Sequence, residues 1–122
     1  MPDPSTRLAE LSGRLAEVRE RIAGAARRSG RQPSDVTLVV VTKTWPLADV
    51  GALFDLGVRD FGESRHPEAQ HKAAGLGAAE ARWHFIGQLQ SNKAVPVAAY
   101  ADVVHSVDSV RLAHRLNAGA HR

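Results

Sequence analysis

Apolar residues recur at three- and four-residue spacing through Leu8, Leu11, Leu15, Val18, Ile22 and Ala25, with Glu10, Arg14, Glu17, Arg19, Glu20 and Arg21 on the other faces. A single apolar stripe on a charged segment predicts an amphipathic helix that must pack on something. A coiled coil is the alternative, although the run is short for one. Asp3, Ser5 and Thr6 offer caps, Pro4 suits a first helical turn, and Gly30 marks the end. The period then changes. Val36-Thr37-Leu38-Val39-Val40-Val41-Thr42-Lys43-Thr44 is a β-branched run closed by Trp45-Pro46. It reads as an interior strand of a parallel sheet.

Strand side chains alternate, so Val39, Val41 and Lys43 are expected on one face and Leu38, Val40 and Thr42 on the other. A lysine in register with two valines is expected to lose water. Desolvation lowers a lysine pKa, and a neutral amine attacks carbonyls to form a Schiff base. The alternative is a lysine that has just left the sheet and reaches solvent along its aliphatic stem.

Further along, residues 47–56 are predicted helical with Gly57 at the C-terminus, and residues 58–63 form a second strand. Residues 67–74 form a helix followed by a loop around Gly75-Leu76-Gly77, and residues 82–87 a third strand. Residues 91–100 are predicted helical, with Pro96 confined to the first turns or kinking the helix. Residues 101–106 make a fourth strand, and Asp108 or Ser109 caps a last helix through Leu116. Four strand–helix units in succession predict an α/β fold with parallel strands and right-handed crossovers. Residues 1–31 would supply the leading helix and residues 36–122 the four units.

Every strand closes on polar residues: Lys43-Thr44, Gly62-Glu63-Ser64, Gly87 to Lys93, then His105-Ser106. In parallel α/β folds the carboxyl edge is where ligands bind. Loops are polar in any case, and Ser91, Asp108 and Ser109 also serve as caps.

Composition narrows the chemistry. The chain has 122 residues and no cysteine, which excludes disulfides, thiolate catalysis and cysteine zinc sites and fits a cytoplasmic protein. No apolar run reaches membrane-spanning length. Met1-Pro2-Asp3-Pro4-Ser5 lacks the basic and apolar regions of a secretory signal, so none is expected. The formal charge of +3 is spread along the chain, and its dense basic patch, Arg27-Arg28-Ser29-Gly30-Arg31, suits a helix C-terminus. Nucleic-acid binding is not expected, because no exposed aromatics interleave with that patch.

His66 and His71 lie about 140° apart around a helix, so no metal site is expected. His84 should face away from its strand neighbours Trp83 and Phe85, towards either a ligand or a satisfied core partner. Asn92 and Lys93 suit either an anion or a helix start. His105, Ser106 and Asp108 are sequence neighbours, which does not make a catalytic triad.

Val41-Thr42-Lys43-Thr44, Phe61-Gly62-Glu63, the block from Trp83 to Lys93, and Val104-His105-Ser106-Val107-Asp108 together resemble the pyridoxal phosphate (PLP) homeostasis proteins, the YggS/PROSC family. The resemblance runs from the leading helix to the end of the chain, and the block 83–93 is its most specific part. It implies a PLP-binding (β/α)8 TIM barrel of fold type III, related to the N-terminal domain of alanine racemase and represented here by its N-terminal half. It implies that Lys43 holds PLP as a Schiff base and that position 64 lies beside the cofactor, so Ser64 is a cofactor-binding candidate, and His84 is a further one from its place on the strand. It also implies a carrier without robust catalysis, which delivers PLP by transimination, with apo-PLP enzymes as recipients.

Two departures stand out. The family usually has asparagine where this chain has Ser64, and serine cannot present an amide. A (β/α)8 barrel also needs about 250 residues, and the resemblance implies that the cofactor phosphate is held near the last strands. An isolated half would carry unpaired edges, which favour homodimerisation, unless the chain belongs to a longer parent. The alternatives are a weak racemase-like enzyme, and a non-binding form that pairs with partners through its open edges.

Overall fold

The computed structural model describes residues 3–121. The expectations concerning Met1, Pro2 and Arg122 lie outside the described residues. Helix α1 spans Pro4–Arg28. Its first turn is capped by Asp3, whose carboxylate accepts from the Ser5 backbone N–H at 2.9 Å. Strands β1 (Val40–Val41), β2 (Asp60–Glu63), β3 (Arg82–Phe85) and β4 (Val103–Val104) alternate with helices α2 (Leu47–Asp55), α3 (His66–Leu76), α4 (Ala94–Ala98) and α5 (Val110–Ala120). The sheet order is β1-β2-β3-β4 and every pairing is parallel. The four expected βα units are present, with the leading helix in front of them.

Several boundaries differ from the sequence reading, each for a local reason. The first strand keeps only two ladder residues, and Pro33–Asp35 ahead of it coil into a 3-10 turn. Among the described residues β1 is an edge strand paired with β2 alone, rather than an interior strand, so its valines mark β tendency without a second partner there. The predicted helix 91–100 divides into a 3-10 turn over Ser91–Lys93 and α4 from Ala94. Pro96 lacks an N–H and is tolerated within a first helical turn, and α4 begins just ahead of it. Helix α3 runs through Gly75 and Leu76 and stops at Gly77, whose φ of 61° is the left-handed conformation that ends helices. Helix α5 extends to Ala120 and is capped by Ser109, whose Oγ accepts from Leu112 N–H at 3.1 Å.

One face of the sheet is covered by helices. Phe61 and Trp83 stack there with ring centroids 5.3 Å apart, packed with Val50, Leu53, Val58 and Leu15 of α1. A second cluster joins Phe85 to Leu89, Val97 of α4 and Leu112 of α5. The Arg7 guanidinium ties α1 to α2, with Nε 3.0 Å and Nη2 2.9 Å from the two Asp49 carboxylate oxygens. The other sheet face carries Val41, Gly62, His84 and Val103 in register, and Val41 and Val103 are exposed on it. Parallel sheets normally have both faces covered, so this open face is the unusual surface of the molecule.

Candidate functional site

The carboxyl edge of the sheet begins with the turn that carries Lys43. After Val41, Thr42 still bonds the ladder through its N–H to the Gly62 carbonyl at 3.0 Å. The chain then reverses, with Trp45 N–H donating to the Thr42 carbonyl at 3.0 Å. Thr44 sits inside this turn at φ 69°, an uncommon conformation for a β-branched residue. Lys43 is therefore one residue beyond the ladder. It is exposed and takes part in no ion pair among the described residues. The expected desolvation by flanking valines is corrected: the turn lifts the lysine off the strand, and the face that would bury it is open.

Behind the turn lies a buried ionic cluster. The Lys72 ammonium on α3 donates to the Thr42 carbonyl at 2.6 Å, to Glu63 Oε2 at 3.0 Å and to Glu68 Oε1 at 2.9 Å. Glu63 Oε2 also accepts from the Thr42 hydroxyl. Glu68 Oε1 accepts from the Thr44 backbone N–H at 2.5 Å. Lys72 and the Thr44 amide both hold the Glu68 carboxyl below its ordinary pKa, with Lys72 the larger influence. Glu63 is 1 % exposed, and its Oε1 has no hydrogen-bond partner among the described residues.

Ser64 follows Glu63 at the same edge and is partly buried. Its backbone is in close contact with Gly87: a Cβ at position 87 would stand 2.5 Å from the Ser64 carbonyl oxygen. Next along, the Ser106 hydroxyl reaches the Ile86 carbonyl at 3.4 Å. Asn92 and Lys93 are exposed on the 3-10 turn before α4, where the Lys93 N–H donates to the Gln90 carbonyl at 3.0 Å.

His84 lies deeper, two residues before Ile86 and away from the edge. It faces opposite to Trp83 and Phe85, as strand alternation requires, and both ring nitrogens are engaged. Nε2 lies 2.9 Å from Asp60 Oδ1 and Nδ1 lies 3.0 Å from His105 Nε2. Asp60 also receives two hydrogen bonds from Arg82, both at 2.7 Å, and these hold its carboxyl below the ordinary range. Of the three predicted cofactor residues, Lys43 and Ser64 stand at the rim, whereas His84 belongs to an Asp60–His84–His105 chain beneath it.

Tyr100 and His66 form a further, half-buried pair, with Tyr100 Oη 3.0 Å from His66 Nδ1 and the rings stacked. Burial, aided by the Glu63 charge, pushes the Tyr100 phenol up to about 12. Burial, with a smaller contribution from Lys93, lowers the His66 pKa.

The sequence reading missed Lys72 and Glu68. Two signals pointed to them: their four-residue spacing on a helix, and Glu63, a carboxylate on a buried strand that needs a cation.

No family model matches the chain. Curated relatives match over most of it. The pyridoxal phosphate homeostasis protein of Escherichia coli K12 is 42% identical over 111 residues, covering 88% of this chain and 47% of the relative. That of Pseudomonas aeruginosa PAO1 is 43% identical over 110 residues, covering 90% and 48%. That of Mycobacterium tuberculosis H37Rv is 43% identical over 121 residues, covering 91% and 47%. The chain thus spans about half the length of the curated relatives it matches.

Solved structures agree. PipY of Synechococcus elongatus without PLP superposes with a TM-score of 0.74 at 40% identity, over 90% of this chain and 47% of PipY. PipY with PLP bound gives 0.68 at 43% identity, over 82% and 48%. A protein of unknown function from Bifidobacterium adolescentis gives 0.87 at 36% identity, over 99% and 53%. Four parallel βα units that cover half of such proteins constitute half of their barrel. Motif order, fold and relatives converge: the chain is similar, over about nine-tenths of its own length, to about half the length of the pyridoxal phosphate homeostasis proteins.

Proposed function

We propose that this chain is the lysine-bearing part of an intracellular PLP carrier, with Lys43 as the residue that holds the cofactor. The observation that supports this most is an exposed lysine without an ion-pair partner among the described residues, set on a braced turn at the carboxyl edge of a parallel sheet. The donor set fits the carbonyl end of PLP, because the Lys43 amine is engaged by no acid among the described residues. The aldehyde of PLP forms a reversible Schiff base with a primary amine, and exchange with a second amine would release it to a recipient such as an apo-PLP enzyme.

The remaining work falls to neighbouring residues. The Ser64 hydroxyl would offer one hydrogen bond at the rim, although not the two N–H donors of an asparagine amide. His84, with both nitrogens engaged, supports the sheet beneath the rim and has no spare donor for a ligand. The partners of the phosphate are assigned to the half of the relatives that this chain does not span.

The test is a PLP titration followed in the imine absorbance band, then borohydride reduction and peptide mass mapping. The chain has three lysines, Lys43, Lys72 and Lys93. The expected result is an adduct confined to Lys43 and lost in Lys43→Ala. Equal labelling of Lys43 and Lys93 would sink the reading.

The open sheet face and the single-sided β1 favour self-association of the isolated chain. Its sedimentation coefficient is expected to rise with concentration across the micromolar range, and a constant monomer value would refute this. Among the described residues no helix is long and apolar enough to cross a membrane.

A further inference from the structure

We propose that Glu68, acting with Lys72 and Glu63, is a positioning residue for Lys43 that fixes both peptide groups flanking it. The inference rests on the reading of Lys43 as the cofactor-holding amine. The peptide before Lys43 presents the Thr42 carbonyl, which accepts from Lys72 at 2.6 Å. The peptide after it presents the Thr44 N–H, which donates to Glu68 at 2.5 Å. Peptide groups are planar, so anchoring the two planes on either side of a residue fixes its φ and ψ. The direction in which the Lys43 side chain leaves the backbone is then fixed too. Both anchors meet in one cluster, because Lys72 and Glu68 pair at 2.9 Å one helical turn apart on α3. Glu63, at the end of β2, binds the same ammonium at 3.0 Å.

The Thr44 backbone supports this independently. A β-branched residue at φ 69° persists only where its surroundings over-determine it. Here the Glu68 carboxylate holds its N–H and the Thr42–Trp45 bond closes the turn around it. A flexible lysine on an unbraced turn would meet an aldehyde from many directions. A braced one presents its amine from one origin, which favours a single productive approach.

The test compares the parent chain with Glu68→Ala and Glu68→Gln. Glu68 is partly exposed, and Lys72 keeps Glu63 in both variants, so both are expected to fold with unchanged circular dichroism. The amide oxygen of glutamine can still accept from Thr44, whereas alanine cannot. Amide hydrogen exchange of Thr44 should be about tenfold faster in Glu68→Ala and near the parent rate in Glu68→Gln. After PLP and borohydride treatment, the ratio of Lys43 to Lys93 adduct should fall about tenfold in Glu68→Ala and recover in Glu68→Gln. Unchanged Thr44 exchange in Glu68→Ala overturns the bracing, whatever the cofactor does. Faster exchange with an unchanged adduct ratio overturns the positioning role. If the parent itself shows no preference for Lys43, the cofactor reading and the positioning role fall together, and Thr44 exchange still decides whether Glu68 braces the turn.

Discussion

Lys72→Met is expected to destabilise the fold by about 3–5 kcal/mol, the cost of stranding a buried charge by removing its partner. Lys72 is 6 % exposed and gives its donors to the Thr42 carbonyl, Glu63 and Glu68. Methionine fills much of the same space and cannot donate. Glu63, at 1 % exposure, would keep the Thr42 hydroxyl alone, with its other oxygen already unpartnered among the described residues. A domain of this size has a total stability on the order of 10 kcal/mol, so the loss is a large share of it. Urea denaturation measures it directly. The double variant Glu63→Gln with Lys72→Met removes both charges and should recover more than about half of the loss, because a neutral amide still accepts from Thr42. A single variant as stable as the parent would mean that Glu63 is not buried as a charge.

Phe61→Ala is expected to cost a similar amount, about 3–5 kcal/mol, by a different route. Phe61 is fully buried in β2, stacked on Trp83 and enclosed by side chains from α1 and α2. Truncation leaves a cavity that a short strand held in register on both sides cannot close. Phe61→Leu should cost less than half as much, since most of the volume returns. Tryptophan fluorescence reports the change in packing: Trp83 is 5 % exposed and should shift to the red, whereas Trp45 is already 55 % exposed. A melting profile for Phe61→Ala equal to that of the parent would place the core elsewhere.

Legibility in the sequence followed the range of the interaction. The stripe from Leu8 to Ala25 specifies α1 because a helix face is set by neighbours three and four residues away, all visible in the local string. Strand alternation likewise put His84 on the face opposite Trp83 and Phe85. The run from Val36 to Val41 was over-read, since β-branched residues announce a pleated surface but not how many strands lie beside it. Lys43 stands out as a candidate because it follows that run directly, although the turn that exposes it is not visible in the string. The bracing cluster was hidden for another reason. Lys72 meets Thr42 across 30 residues and Glu63 across 9. Lys72 or Glu68 taken alone reads as a solvated surface residue. The Asp60–His84–His105 chain depends in the same way on strand register, which no single segment contains.

The close approach of Gly87 to Ser64 has a consequence for variation at the rim. Position 64 already carries a Cβ and is only partly buried, so asparagine or another small polar residue can be exchanged there by changing the side chain alone. At position 87 the first added carbon would stand 2.5 Å from a backbone oxygen, and the main chain of the neighbouring loop would have to move. In a randomised library across these two loops, diversity should therefore accumulate at 64 and glycine should persist at 87. The loops after β2 and β3 meet main chain to main chain at this point, so glycine at 87 sets how closely they can approach.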